Sequence, residues 1–285
     1  RYYLLSTGLL LIFVGSLLIP AGWYNRGKLE LVFLDVGQGD CIIMKSPQGK
    51  YLMVDGGGSQ FYDVGNQTVL PYLHSQGIRR LDMIINTHPD YDHLGGVESV
   101  AGDIKTGYLG LPESIVQSNE YHQLMKIADS RSIPVVPLRS GQLINMEEGL
   151  EIKVLHPEEQ PYGGNKFNQE SVVMEIQYQG FSALLTGDIP AETMPAILKA
   201  AEKPVTLVKV PHHGSKGSLL SEFYQELNPG YAVISVGENN SFGHPSPAVV
   251  EMLTSLKIRV FRTDQDGAVT VSTDGQQMTI ETVNF

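Results

Sequence analysis

The chain has a single cysteine, Cys41, in 285 residues. That excludes an intrachain disulfide and any zinc site built on paired cysteines, and it leaves the redox compartment unmarked. Positive charge is also short, with 20 Lys and Arg against 31 Asp and Glu and a formal net charge of −11. This balance argues against tight, non-specific binding to nucleic acid through charge alone, because phosphate binding rests mostly on Lys and Arg. It does not exclude a nuclease, since a bound metal ion supplies local positive charge that a residue count omits. No basic strip interleaved with aromatic residues, of the kind that holds single strands, stands out. Repeats, low-complexity segments and long linkers after residue 28 are all missing. Apolar residues make up 42%, enough for a substantial core.

Charge is absent altogether from residues 2–24, YYLLSTGLLLIFVGSLLIPAGWY. Such a run is long enough to cross a bilayer as a helix. Tyr2, Tyr3, Trp23 and Tyr24 stand at its two ends, where amphipathic rings favour the membrane interface. A transmembrane anchor with its linker is therefore expected over 1–28, and Arg1 against Arg26 and Lys28 leaves its orientation open. The chain opens on Arg1 rather than Met, as expected of a processed product or of a piece of something longer.

The remainder, 29–285, reads as one α/β domain. Apolar runs such as LELVF, LDMIIN, FSALL, VTLVKV and YAVISV predict strands, and SVVMEIQYQGFSALL predicts a hairpin through Gln179-Gly180. Helices are expected in VGNQTVLPYLHSQGI, with Gly77 as its C-terminal cap, and in SNEYHQLMKIADSRS, AETMPAILKAAE, LLSEFYQELN and PAVVEMLTSLK. The final stretch, from Ile258, predicts strands separated by Asp-Gly turns. Buried strands repeatedly run into polar clusters at their C-terminal ends, which is where α/β sheets bind ligands.

Three such ends concentrate His and Asp. Residues 87–96, THPDYDHLGG, follow a buried strand, and alternate residues in its extended part present His88 and Asp90 together. Asp92 and His93 come next, in a turn leading into a helix that Gly95 and Gly96 permit. ALLTGDI ends a second strand on Asp188, and LVKVPHHGS ends a third on His212 and His213. One polar turn is unremarkable, and Asp92 alone would suit a helix N-cap. Three clusters at three strand ends point to a metal site.

The order His-x-Asp-x-Asp-His, then TGD, then PHHGS, resembles the metallo-β-lactamase-fold hydrolases. LDVGQGD (34–40), VDGGG (54–58) and SFGHPSP (241–247) narrow the likeness to the soluble domain of ComEC-type competence proteins, the membrane proteins of bacterial DNA uptake. The resemblance implies a four-layer αββα sandwich, preceded here by the hydrophobic helix, with a two-metal cleft at one edge of the sheets. It would place His88 and Asp90 at one metal and Asp92, His93 and His213 at the other, with Asp188 bridging. His212 would contact substrate, although the two adjacent histidines could exchange roles. Asp90 departs from the usual histidine of the superfamily, and NQESVV (168–173) occupies the stretch where a further histidine is usual. His156 is the nearest substitute and reads better as a strand end. Two unequal sites are expected, and their oxygen-rich ligands favour Mn²⁺ or Mg²⁺ relative to an all-imidazole zinc cage.

Two cations close together lower the pKa of a bridging water and stabilise charge on a phosphoryl oxygen. Asp92, His212 and His244 are the candidate catalytic residues, His244 as proton donor to a leaving oxygen or as a phosphate contact. Asp35, Asp40 and Asp55 lie in Gly-rich turns where they could orient ligand histidines or simply satisfy turn chemistry. Ser215 and Lys216 are candidate phosphate contacts, whereas Cys41, His74 and His122 have structural readings. The resemblance implies a Mn²⁺- or Zn²⁺-dependent DNase, degrading the strand not imported, on the outer face of the cell membrane beside a channel domain of the same longer protein. The same fold could instead serve a small phosphodiester, a cell-wall phosphoester or a lactam. A non-catalytic DNA-guiding domain with a structural metal is the remaining expectation.

Overall fold

Period-two alternation of apolar side chains builds two sheets. The computed structural model describes residues 27–158 and 166–283. Strands β1 (Leu29–Phe33), β2 (Ile42–Lys45), β3 (Tyr51–Val54), β4 (Arg80–Ile85), β5 (Lys105–Pro112) and β6 (Val135–Leu138) lie side by side in one sheet. The second sheet holds β7 (Leu143–Glu147), β8 (Leu150–His156), β9 (Val173–Tyr178), β10 (Phe181–Leu185), β11 (Leu207–Lys209), β12 (Tyr231–Ile234) and β13 (Arg259–Arg262), in the order β13-β12-β11-β10-β9-β8-β7. The chain then returns to the first sheet, where β14 (Ala268–Thr273) and β15 (Met278–Val283) complete the order β15-β14-β1-β2-β3-β4-β5-β6.

Alternation decides which layer each side chain joins. Leu31, Phe33, Ile42, Met44, Leu52 and Val54 face Ile152, Val154, Met174, Ile176, Ala183 and Leu185 across the space between the sheets. Their neighbours Val32, Ile43 and Met53 point the other way, into a second core under the helices. Burying each large apolar side chain contributes about 1.5–3 kcal/mol. Helices α1 (Leu70–Ser75), α2 (Tyr91–Asp103) and α3 (His122–Arg131) cover the outer face of the first sheet. Helices α4 (Met194–Ala200), α5 (Ser221–Leu227) and α6 (Pro247–Ser255) cover the second, and the single turn α7 (Thr263–Asp266) follows β13. The result is the expected αββα layering.

Gly77 takes φ +71° just past α1, as its capping role predicts. Gln179-Gly180 joins β9 to β10 in the expected hairpin. Asp274-Gly275 likewise turns β14 into β15, but Asp266-Gly267 carries the chain from one sheet to the other. Strands β5 and β7 carry no clear alternation: glycines and a proline interrupt β5, and β7 is an edge strand with a register shift.

The expected membrane-spanning helix must be corrected. Among the described residues no helix is long and apolar enough to cross a membrane. The longest, α2, has 13 residues, or about 20 Å at the helical rise, against roughly 30 Å of bilayer hydrocarbon. Residues 2–24, on which that expectation rested, lie outside the described residues. The membrane partner, the adjoining channel domain and the cell-membrane location have no helix here to support them.

Candidate metal centre

Parallel strands aim their C-terminal ends at one edge of the sandwich. Strands β3 to β6 run parallel in the first sheet and β10 to β13 in the second. Past β4, residues Asn86, Thr87 and His88 are buried and Asp90 emerges at the N-cap of α2 without a side-chain capping bond. Asp92 and His93 fall in the first turn of α2, where a carboxylate also complements the helix dipole. The glycine pair that follows is a contact surface. A Cβ on Gly96 would lie 2.0 Å from the Gly56 carbonyl oxygen, and one on Gly39 would lie 2.0 Å from that of Asp92. Only glycine lets the two Gly-rich loops reach the start of α2 this closely.

From the second sheet, β10 leads to the buried Asp188 and β11 to the turn Pro211–Gly214. His212 and His213 take φ of +51° and +52°. Left-handed backbone is strained for residues with a Cβ and persists where the surroundings enforce it. Here it sends His213 inward and leaves His212 partly exposed at the cleft.

Each of three imidazoles has its Nδ1 engaged by the protein. His88 Nδ1 meets Thr87 Oγ1 at 3.0 Å, His93 Nδ1 donates to Asp55 Oδ2 at 2.8 Å, and His213 Nδ1 donates to the Ser235 carbonyl at 2.9 Å. This leaves Nε2 for the interior, the arrangement that prepares histidine as a ligand. His93 Nε2 and His213 Nε2 are 3.3 Å apart, and Asp188 Oδ2 lies 3.3 Å from the first and 3.2 Å from the second. Asp92 Oδ2 is 3.4 Å from His213 Nε2. His88 Nε2 is buried without a hydrogen bond, and Asp90 Oδ2 stands 3.5 Å away.

Leaving a buried ring nitrogen unmatched costs on the order of 1–3 kcal/mol. A divalent cation would remove that cost, and the donor set of imidazole and carboxylate fits one. His88, His93 and Asp188 offer atoms within 4.8 Å of one another, and so do Asp92, His93 and His213. His93 therefore reaches both groups rather than the second alone. Asp90 enters neither.

Beneath this cluster lies a charged floor. Asp55, at φ +58°, accepts from Asn86 Nδ2 at 2.9 Å, Thr87 N at 2.7 Å and Thr87 Oγ1 at 2.7 Å, besides His93. Lys209 is wholly buried, paired tightly with Asp40 and 3.3 Å from Asp188 Oδ1. Burial opposes its charge, yet Asp40 and Asp188 raise its pKa. The same contest is won by charge elsewhere. Burial would lower His93, but Asp188 and Asp55 hold it well above the imidazole range, and His213 is lifted against burial to about 10, chiefly by Asp188. Burial would raise Asp188 and Asp92, but His213 and His93 keep both far below the usual carboxylate range.

The remaining candidates divide by position. Asp40 and Asp55 touch the cluster, whereas exposed Asp35 accepts a bond from Gly37 N at 3.0 Å in its own turn. His212 Nε2 lies 3.9 Å from Asp188 Oδ2 and 3.4 Å from Asn168 Nδ2. His244 packs near it, ring centroids 5.6 Å apart, and burial lowers the pKa of both. Ser215 Oγ accepts from Gly217 N, and neither Ser215 nor exposed Lys216 lines the cleft. His156 is buried at the end of β8, where Nδ1 donates to the Ser171 carbonyl at 2.8 Å. Cys41 is buried, which pushes its thiol well up, and His74 and His122 lie on helices away from the cleft. Among residues that sequence undervalues, Lys209 is the most consequential. It reads as a strand-end basic residue, and only the fold encloses it.

A cleft of about 720 Å³ opens over the cluster, lined by Asp92, Asp188, His212, His213 and His244 and flanked by Asp90.

Known proteins share this architecture. A family model for the metallo-β-lactamase superfamily matches residues 34–238. The chain is 32% identical over 259 residues to ComE operon protein 3 of Bacillus subtilis (strain 168), covering 86% of this chain and 33% of that protein. It is 29% identical over 239 residues to Competence protein ComA of Neisseria gonorrhoeae, covering 82% and 31%. The chain thus spans about a third of the length of these curated relatives. Among solved structures, CmlA, a diiron β-hydroxylase from Streptomyces venezuelae, aligns with a TM-score of 0.56 at 14% identity, over 85% of this chain and 53% of that one, a likeness of fold alone.

Proposed function

The chain belongs to the metallo-β-lactamase superfamily as a metal-dependent hydrolase, and on that premise we propose that it hydrolyses phosphodiesters, with DNA as the polymer to test first. One observation carries the reading. The half of the cluster around His88 joins two imidazoles, His88 and His93, to the Asp188 carboxylate, and Asp90 adds a second carboxylate 3.5 Å from the unbonded His88 Nε2. Oxygen donors of this kind suit Mn²⁺ or Mg²⁺, the hard cations of phosphoryl chemistry, although Zn²⁺ remains compatible with the His93 and His213 half.

His88, His93, His213, Asp92 and Asp188 would hold two divalent ions, with Asp90 completing the weaker position. Such ions, when bound, supply an acidified water and neutralise charge on a phosphoryl oxygen. The chain's own residues do the rest. Asp92, a carboxylate at neutral pH, faces the cleft, and its low basicity suits it to hold an ion rather than a proton. His212 and His244 line the same cleft, where each can hydrogen-bond a phosphoryl or leaving oxygen. Asp55 and the Ser235 carbonyl keep His93 and His213 in the tautomer that presents Nε2. The likeness to Competence protein ComA makes DNA a substrate to test, and a small phosphodiester is the alternative that the same geometry accommodates.

The test loads the protein with Mn²⁺, Mg²⁺ or Zn²⁺ and measures turnover of an oligonucleotide beside that of a small phosphodiester. Cleavage that depends on metal and disappears in Asp188→Ala is the expected result. Turnover of the small ester alone would confine the function to small substrates, and turnover of neither would refute the proposal.

A further inference from the structure

Of the seven large apolar side chains that stand exposed among the described residues, four line the cleft over the cluster: Phe61, Tyr62, Tyr91 and Phe242. All four are aromatic. Phe61 is 96% exposed and Phe242 66%. Rings left this far in water contribute little to the fold, and concentrated exposed apolar surface marks an interaction site.

The rings come from two sides. Phe61 and Tyr62 lie on the loop after β3 and Tyr91 opens α2, while Phe242 sits on the loop after β12. Phe242 is anchored, its backbone N–H donating to Asn240 Oδ1 at 3.1 Å. From it a series of rings leads inward. Phe242 stacks on His244 at 5.8 Å with 24° between planes, and His244 meets His212 at 5.6 Å. His212 in turn lies 6.2 Å from His213. A planar group resting on Phe242 is thereby continuous with the chemistry.

We propose that Phe61, Tyr91 and Phe242 form a stacking rim for unpaired bases of a nucleic-acid strand whose phosphodiester lies over the cluster. This rests on the phosphodiester reading above and assigns its substrate class. Three observations favour bases over a lipid chain or a duplex. The exposed apolar groups are flat rings rather than aliphatic chains. Gln38, Gln60 and Asn239 line the same cleft, and their amides can bond base edges. Among the described residues neither Lys nor Arg lines the cleft, so a strand at its rim would be held by its bases rather than its phosphates, and paired bases would hide their faces from the rings. Base–aromatic stacking tolerates any sequence and contributes roughly tenfold in affinity per base.

The test uses the full chain with Mn²⁺ and two fluorescein-labelled phosphorothioate strands of equal length, one of thymidine and one abasic. Anisotropy is expected to show the thymidine strand bound tighter by about tenfold or more. The double variant Phe61→Ala/Phe242→Ala should bring it down to the abasic level. Phe242→Trp should keep the preference, and its indole emission, above that of the native Trp23, should be quenched by the thymidine strand only. Equal affinity for the two strands in the unaltered protein overturns the rim, as does a preference that survives the double substitution. A preference that stands while the cleavable versions of both strands go unhydrolysed overturns the phosphodiester reading and leaves the rim.

Discussion

The site has a dry floor and a wet rim, and the two are held by different forces. On the floor, His93, His213, Asp40, Asp55 and Lys209 are buried and every charge has an opposite neighbour. At the rim, Asp90, His212, His244 and the aromatic side chains meet solvent and have few fixed partners. Low dielectric makes the floor interactions strong and their loss expensive. Water and side-chain freedom keep the rim adaptable. The floor thus sets whether ions are held, and the rim sets what reaches them.

Breaking the floor at its centre should have the largest effect. Asp188→Ala removes the carboxylate that lies within 3.3 Å of both His93 Nε2 and His213 Nε2 and the partner of Lys209, and should reduce metal-dependent turnover to background. Retained turnover with both ions bound would mean that the centre of the cluster lies elsewhere. Lys209→Met comes next. It takes the ammonium from between Asp40 and Asp188 and leaves only the imidazoles of His93 and His213 beside them, a loss of about 3–5 kcal/mol in urea unfolding of the metal-free protein. A loss below about 1 kcal/mol would place Lys209 among ordinary, solvent-screened pairs.

Asp55→Asn keeps the shape of the floor but weakens the acceptor that orients His93. Metal affinity should fall about 10- to 100-fold with the fold retained, read by titration calorimetry and circular dichroism. Asp90→Ala, on the rim, should have the smallest effect. It should weaken only the second ion, by less than about tenfold, leaving the first near its native affinity. If Asp90→Ala matched Asp55→Asn on the tighter ion, the distinction between floor and rim would fail at this position.

Much of the floor is legible in sequence because strand ends are local features. THPDYDH, TGD and PHHG each carry their chemistry within a few residues, and the fold assembles them unchanged. The orienting acids are only half legible. Asp35 and Asp55 occupy similar Gly-rich turns, and nothing local reveals that one bonds its own loop while the other lies under His93. Lys209 escapes for the same reason, its partners Asp40 and Asp188 lying in other strand-end loops. The rim is the least legible. Phe61, Tyr91 and Phe242 belong to segments far apart in the chain, so no strip of aromatics exists until the loops converge. The layered fold is readable from alternation wherever a strand is internal, and fails at β5 and β7, where glycine, proline or an edge position relaxes the pattern.

The enclosed ammonium of Lys209 also bears on the order of assembly. Asp40, Asp55, Asp92 and Asp188 would repel one another if they were gathered with no cation among them. A covalently attached one is present from synthesis, in every copy and at every metal concentration. With His93 and His213 also holding positive charge beside Asp40 and Asp188, the sandwich can close around its acids before any ion arrives and be loaded afterwards.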